Sequence, residues 1–279
     1  CQVRRPDANP QARLTFAASP ALQSDGWLCD VATTHTLLPC ASLCVAQKGL
    51  PLSITGVQAT SSAFSDTEPF PPSPVSTGAP PPSGTKPLDF YILFESSGKW
   101  PDALDAINNL KSAFYLRLAS LLEDQASIIC EVEKDVIYVQ VEGFTFRGII
   151  HHEPSIPLLP TPSAKRALKW RTTDGAQHTA ALSALGRTHP ALGPTVRLAK
   201  RWLSCQLYSG SVSDGLIELL AAHAFASPFT RPPGSAIAGF SRFLHLLASH
   251  DFESEPLLLS FDEPITSELK EGADAAFAV

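Results

Sequence analysis

Apolar and polar positions along the chain divide it into two unlike halves. Leu50-Pro-Leu-Ser-Ile-Thr-Gly-Val57 carries the β-branched Ile54, Thr55 and Val57 and predicts a strand. Asp89-Phe-Tyr-Ile-Leu-Phe-Glu95 has a continuous apolar middle, the pattern of a buried strand. From Pro101 the period changes. Leu104, Ile107, Leu110, Phe114, Leu118 and Leu121 recur every three or four residues and predict a helix of about six turns with one apolar stripe. Pro101 is expected in its first turn, where Asp102 and Asp105 favour the helix dipole. Strands are expected at 128–133, 135–142 and 144–150, with Gly143 in a tight turn between the last two. Two strands, a long helix and three more strands in one unit predict an α+β domain.

The second half is helical in pattern. Four prolines at 154–162 mark a break, and a linker is placed at 156–164. Residues 165–171 read as linker-like. Helices are predicted at 178–188 and at 194–208, the latter starting with Pro194 and burying Val196, Ala199, Trp202 and Leu203. Ser213 and Ser235 are the expected caps of two more helices, with stripes through Leu216, Ile217, Leu220 and Ala224 and through Ile237, Phe240, Leu244 and Leu247. Pro256-Leu-Leu-Leu-Ser-Phe261 is expected as a closing strand. Residues 1–30 carry no clean period and read as the end of a preceding region, and 35–48 predict a short helix. The stretch 69–87 holds eight prolines and is expected as a surface loop. The resulting division is an α+β domain at 31–155 and a helical domain at 165–279.

Composition adds three constraints. Apolar residues make up 44% of 279, enough for a core in each half. No apolar run is long enough for a membrane-spanning helix, and the polar start with Arg4 and Arg5 is unlike a signal peptide, so no membrane partner is expected. The lack of Met, with Cys at position 1, leads us to expect a piece of a longer protein. The six cysteines at 1, 29, 40, 44, 130 and 205 are scattered, as expected of reduced thiols in an intracellular chain. Cys29, His35, Cys40 and Cys44 could be imagined as a zinc set, but no second CxxC pair follows, and structural thiols are the expectation.

Carboxylates and histidines are the side chains that could carry chemistry. Two-metal nucleotide transfer needs an acidic pair on one strand and a third carboxylate on its neighbour. Glu131-Val-Glu133 has the spacing but lacks a preceding Gly-Ser turn and reads as a solvated strand face. Asp89 and Glu95 stand at opposite ends of a strand, about 20 Å apart. His151 and His152 should point to opposite faces. His178 reads as a capping or packing residue, and His223 and His245 as ordinary helix histidines. No catalytic residue, metal site or cofactor is therefore expected.

Charge is the stronger signal. The net charge is −6, yet residues 163–250 hold ten Lys and Arg against three Asp and Glu. Arg197, Lys200 and Arg201 should lie within about one helical turn of each other. Lys165, Arg166, Lys169 and Arg171 precede them, with Trp170 able to stack on an unpaired base. The alternatives are a solvated helix face and a surface that packs against another domain.

Three segments carry a family resemblance. They are Phe94-Glu-Ser-Ser-Gly-Lys-Trp-Pro-Asp102 leading to Lys111-Ser-Ala-Phe114, then Gly193-Pro-Thr-Val-Arg-Leu-Ala-Lys-Arg-Trp-Leu203, and Gly239-Phe-Ser-Arg-Phe-Leu244 running to Glu255-Pro-Leu257. Together they resemble the nucleolar RNA-associated protein (Nrap) family of the small-subunit processome. The resemblance implies a degenerate nucleotidyltransferase-like domain followed by a helical poly(A)-polymerase/oligoadenylate-synthase-like domain, the family's fourth and fifth. It further implies a nuclear, nucleolar, non-catalytic RNA-associated scaffold in ribosomal RNA maturation. The implied partners are precursor rRNA, other processome proteins, a subcomplex with an rRNA-processing adaptor and casein kinase 2, and the remaining domains of the full-length chain. An active transferase of the poly(A)-polymerase type and a purely protein-binding scaffold remain the alternatives.

Overall fold

A computed structural model describes residues 50–70, 72, 74–75, 86–95, 97–209, 211–226, 231–261 and 266–277. The expected helix at 35–48, the irregular 1–30, the cysteine and histidine set before residue 45 and most of the proline-rich stretch lie outside these.

The first lobe is a five-stranded mixed sheet with β1 (Ile54–Ala59), β2 (Leu88–Phe94), β3 (Ile129–Glu133), β4 (Val136–Val141) and β5 (Phe144–His151) in the order β1-β2-β5-β4-β3. Only β2 and β5 run parallel, and their connection passes through helix α1 (Leu104–Ala126) and the β3–β4 hairpin. Central β2 is buried along most of its length, which is why its sequence is continuously apolar rather than alternating. The turn between β4 and β5 uses Glu142 and Gly143, both at positive φ, the geometry whose twist matches an antiparallel pair. Helix α1 lays Ile107, Phe114, Leu118 and Leu122 inward, and Phe114 stacks on Phe94 at 5.0 Å. It begins at Leu104, so Pro101 and Asp102 precede it instead of lying in its first turn as expected, and only Asp105 stands there. Tyr115 fastens α1 to the sheet: its hydroxyl donates to the Asp135 carbonyl (2.9 Å) and accepts from the Ile150 amide (2.7 Å).

The second lobe begins earlier than the sequence pattern indicates. Residues 162–169 form helix α2, with Thr161 as a side-chain cap and Pro162 in the first turn, and it continues through a π turn at Trp170–Asp174. The expected linker character of 165–171 is thus corrected: the cap and the proline start a helix that the lack of an apolar stripe conceals. Helices α3 (Gly175–Thr188), α4 (Leu192–Cys205), α5 (Asp214–Ala226) and α6 (Ala236–Ser249) follow, and α7 (Ser267–Phe277) ends the described chain. Ser235 and Ser213 accept from the Ala238 and Leu216 amides, as caps do. Leu182, Val196, Ala199, Ile217, Ala221 and Phe243 form the core of this lobe. The expected strand at 256–261 is not one. Among the described residues no strand pairs with the segment, which instead lays Leu257, Leu259 and Phe261 on the helical core.

Helix α3 belongs to both lobes. Ala176 packs with Tyr91, Val136 and Ile149 on the sheet face opposite α1, while Leu182 enters the helical core. Thr179 and Ser183 donate to the carbonyls of Thr60 and Phe64, each at 3.3 Å.

Candidate functional site: a cleft between the lobes

The segment after β1 and the start of β2 face the π turn and helices α3 and α5 across a cleft of about 330 Å³. At its floor lies Glu218 of α5, 2% exposed, with Lys200 of α4 at 4%. Glu218 Oε1 accepts from Lys200 Nζ (2.6 Å) and from Thr67 Oγ1 (2.7 Å), and its Oε2 meets His178 Nε2 at 2.5 Å. Three helices and the first lobe thereby converge on one carboxylate. Beside it Arg197 reaches across to the carboxylate and carbonyl of Asp66. At the mouth Lys86 bridges Asp214 (3.2 Å) and Glu68 (3.8 Å). Trp170 closes one wall by pressing its six-membered ring against Gly215, where a Cβ would come within 2.4 Å of the indole.

Burial alone would push the Glu218 carboxyl up, but hydrogen bonds from His178, Lys200 and Thr67 and the charge of Lys200 outweigh it and hold the group at about 2. The ordinary value is 4.5. A depressed carboxyl stabilises the fold above its ordinary value, and this contribution is lost as pH falls through the folded one. Unfolding free energy is thus expected to drop by about 3 kcal/mol between roughly pH 5 and pH 2 on account of Glu218. Urea titrations across that range check it, and the Glu218→Gln variant should show a visibly shallower slope.

On the sheet wall, Asp89 and Arg147 stand directly opposite each other on the parallel strands β2 and β5. The guanidinium holds both carboxylate oxygens, at 2.6 and 2.8 Å. This is a fork-to-fork pair that leaves Asp89 little capacity for another ligand. The residues present do not fit a divalent-metal pair. The carboxylate on the cleft wall of β2 is taken by a cation from the neighbouring strand, where a third carboxylate would be needed. Glu131 and Glu133 lie on the far edge of the sheet, and Glu95 follows the other end of β2. Among the described residues no three His, Cys, Asp or Glu side chains gather as a metal requires. His151 and His152 point apart, onto Tyr91 and Trp100 respectively.

The basic residues separate into two groups. Arg166, Lys169 and Arg171 are exposed on α2 and its π turn, Lys165 is half-buried beside them, and Lys169 pairs with Asp174 at 3.3 Å. Trp170 is 45% exposed at the cleft rim, where it also packs on His178. Arg197, Lys200 and Arg201 lie within about one turn of α4, as expected, but they do not form one accessible cationic face. Arg197 and Lys200 point inward to Asp66 and Glu218, because a cation buried at a lobe contact must meet a counter-charge. Only Arg201 stays exposed, with its guanidinium 5.6 Å from the centre of the Phe70 ring.

A mixed sheet with one long helix on one face and a helical lobe across the other is a nucleotidyltransferase-like α+β architecture joined to a helical domain. Residues 44–192 match the Nrap protein nucleotidyltransferase domain 4, and 189–278 match the Nrap protein PAP/OAS1-like domain 5. The chain belongs to the Nrap family. Nucleolar protein 6 of Xenopus laevis is 35% identical over 246 residues, covering 76% of this chain and 21% of the relative. Nucleolar protein 6 of Homo sapiens is 32% identical over 254 residues, covering 79% and 22%. The chain thus spans about a fifth of the length of these relatives. Among solved structures, the CdnC:HORMA-deltaN complex of E. coli MS115-1 shares the fold with a TM-score of 0.50 at 15% identity, covering 84% of this chain and 70% of that one.

Proposed function

We propose that this chain is a non-catalytic, RNA-associated scaffold segment of a nuclear, nucleolar protein that acts in ribosome biogenesis, within the small-subunit processome. The Asp89–Arg147 pair carries the reading, since it commits to a side chain the carboxylate that transfer chemistry would give to a metal. The nucleolar names of the relatives support the location. The α+β lobe and the helical lobe that begins at Pro162 act together as one support. Precursor rRNA, other processome proteins and the remaining domains of the full-length chain are its partners. Lys165, Arg166 and Arg171 on α2 are the phosphate contacts, with Lys169 and Arg201 adding to the field and Trp170 offering its exposed edge to a base.

Two measurements test this. Incubation of the full-length protein with RNA, ATP and Mg²⁺ or Mn²⁺ is expected to give no 3′ extension, and extension would overturn the reading. The triple variant Lys165→Glu/Arg166→Glu/Arg171→Glu is expected to bind single-stranded RNA about tenfold more weakly or worse, with the salt dependence reduced by about one unit per lost cation. Unchanged RNA affinity with lost protein partners would instead favour a purely protein-binding scaffold.

A further inference from the structure

Strand β3 ends the sheet. It pairs with β4 on one side, and no strand among the described residues pairs with the other. Its five residues alternate strictly in exposure. Cys130 and Val132 turn towards α1 and the core, while Ile129, Glu131 and Glu133 turn to the opposite face. Ile129 is 68% exposed, a high value for a large apolar residue in a strand. These three side chains border a shallow trough of about 200 Å³ completed by Tyr138, Gln140 and Thr145. All the residues that line it belong to the sheet, and the helical lobe packs on this face at Tyr91, Val136 and Ile149. Glu133 accepts from the Tyr138 hydroxyl at 3.5 Å, and among the described residues neither Glu131 nor Glu133 is in an ion pair.

An unpaired strand edge is a template for another strand, and proteins usually blunt it with charge or cover it. Here the charge is of one sign, and it selects the occupant. A second copy of this chain pairing antiparallel across the edge would set glutamates against glutamates, which is destabilising. Nucleic acid would bring phosphates to the same carboxylates. An incoming strand about 4.8 Å away, with cations at alternate positions, would instead set them opposite Glu131 and Glu133 and turn its intervening aliphatic residues to the other face, beside Cys130 and Val132. Its main chain would take up the free amides and carbonyls of the edge.

We propose that the open edge of β3 accepts an extended basic segment of a partner protein as an added strand, held by main-chain pairing and by Glu131 and Glu133. The site lies apart from the cationic face of α2, so one module can hold RNA and a protein strand at once. It does not depend on whether α2 binds RNA.

The test uses the full-length protein and a fluorescein-labelled alternating lysine–valine heptapeptide. Saturable binding is expected. N-methylation of alternate amides in the peptide is expected to abolish it, and the exposed-site variant Glu131→Lys/Glu133→Lys to weaken it by about tenfold at unchanged Tm. Loss in both arms supports an added strand. Equal binding of the N-methylated peptide would reduce the contact to charge attraction and overturn the proposal. So would equal affinity in the variant, no binding of the lysine–valine peptide at all, or a wild-type dimer in sedimentation that the variant loses.

Discussion

Replacing Glu218 with Leu is expected to lower the unfolding free energy by about 3–5 kcal/mol, because it leaves Lys200 buried without its ion-pair partner. Lys200 is almost inaccessible and its ammonium has Glu218 as its ion-pair partner. Lys200→Met is expected to be costly as well, though less so, since Glu218 keeps Thr67 and His178. The double variant Lys200→Met/Glu218→Leu should recover much of the loss, because two apolar side chains of similar volume remove the desolvated charges together. Urea unfolding of the four proteins closes the cycle. Single variants within about 1 kcal/mol of the parent would show that the hub carries little of the stability.

Phe146→Ala in the sheet core and Phe243→Ala in the helical core are each expected to cost about 3–5 kcal/mol, the usual range for truncating a fully enclosed aromatic. Both side chains are 0% exposed. The informative part is the shape of the transition. Helix α3 has side chains in both lobes, and the Glu218 hub and the Arg197–Asp66 contact cross between them. Each variant should therefore shift one common transition, detected alike by tryptophan fluorescence and circular dichroism. A variant that melts its own lobe first would show the lobes to be independent.

Much of the fold was legible from periodicity. The stripe of α1, the alternation of the hairpin and the caps at Ser213 and Ser235 are local signals, and local signals survive in the structure. The strand expected at 256–261 failed for the opposite reason. A short apolar run says that a segment is buried, not that a neighbouring strand exists to pair with it. The helix at 162–169 was missed because α2 buries no residue and so has no stripe, although Thr161 and Pro162 are ordinary start signals. At the cleft, the inward turn of Lys200 had a readable sign: it lies one turn after Val196 and one before Leu203, on the apolar face of its helix. Glu218 sits likewise among Ile217, Ala221 and Ala222. Opposite charges on two buried stripes suggest a pair. That Asp66 and Thr67 join them, or that Asp89 meets Arg147, depends on strand and lobe register, which no local pattern contains.

The Asp89–Arg147 pair bears on the history open to this sheet. Exchanging Arg147 for an acid would place two like charges on adjacent strands with no cation between them, and exchanging Asp89 first would strand a half-buried guanidinium. Either single step is less fit to fold than what precedes or follows it. The arrangement works as a lock: the surfaces around it can vary freely, while an ion-holding sheet would need several coincident changes.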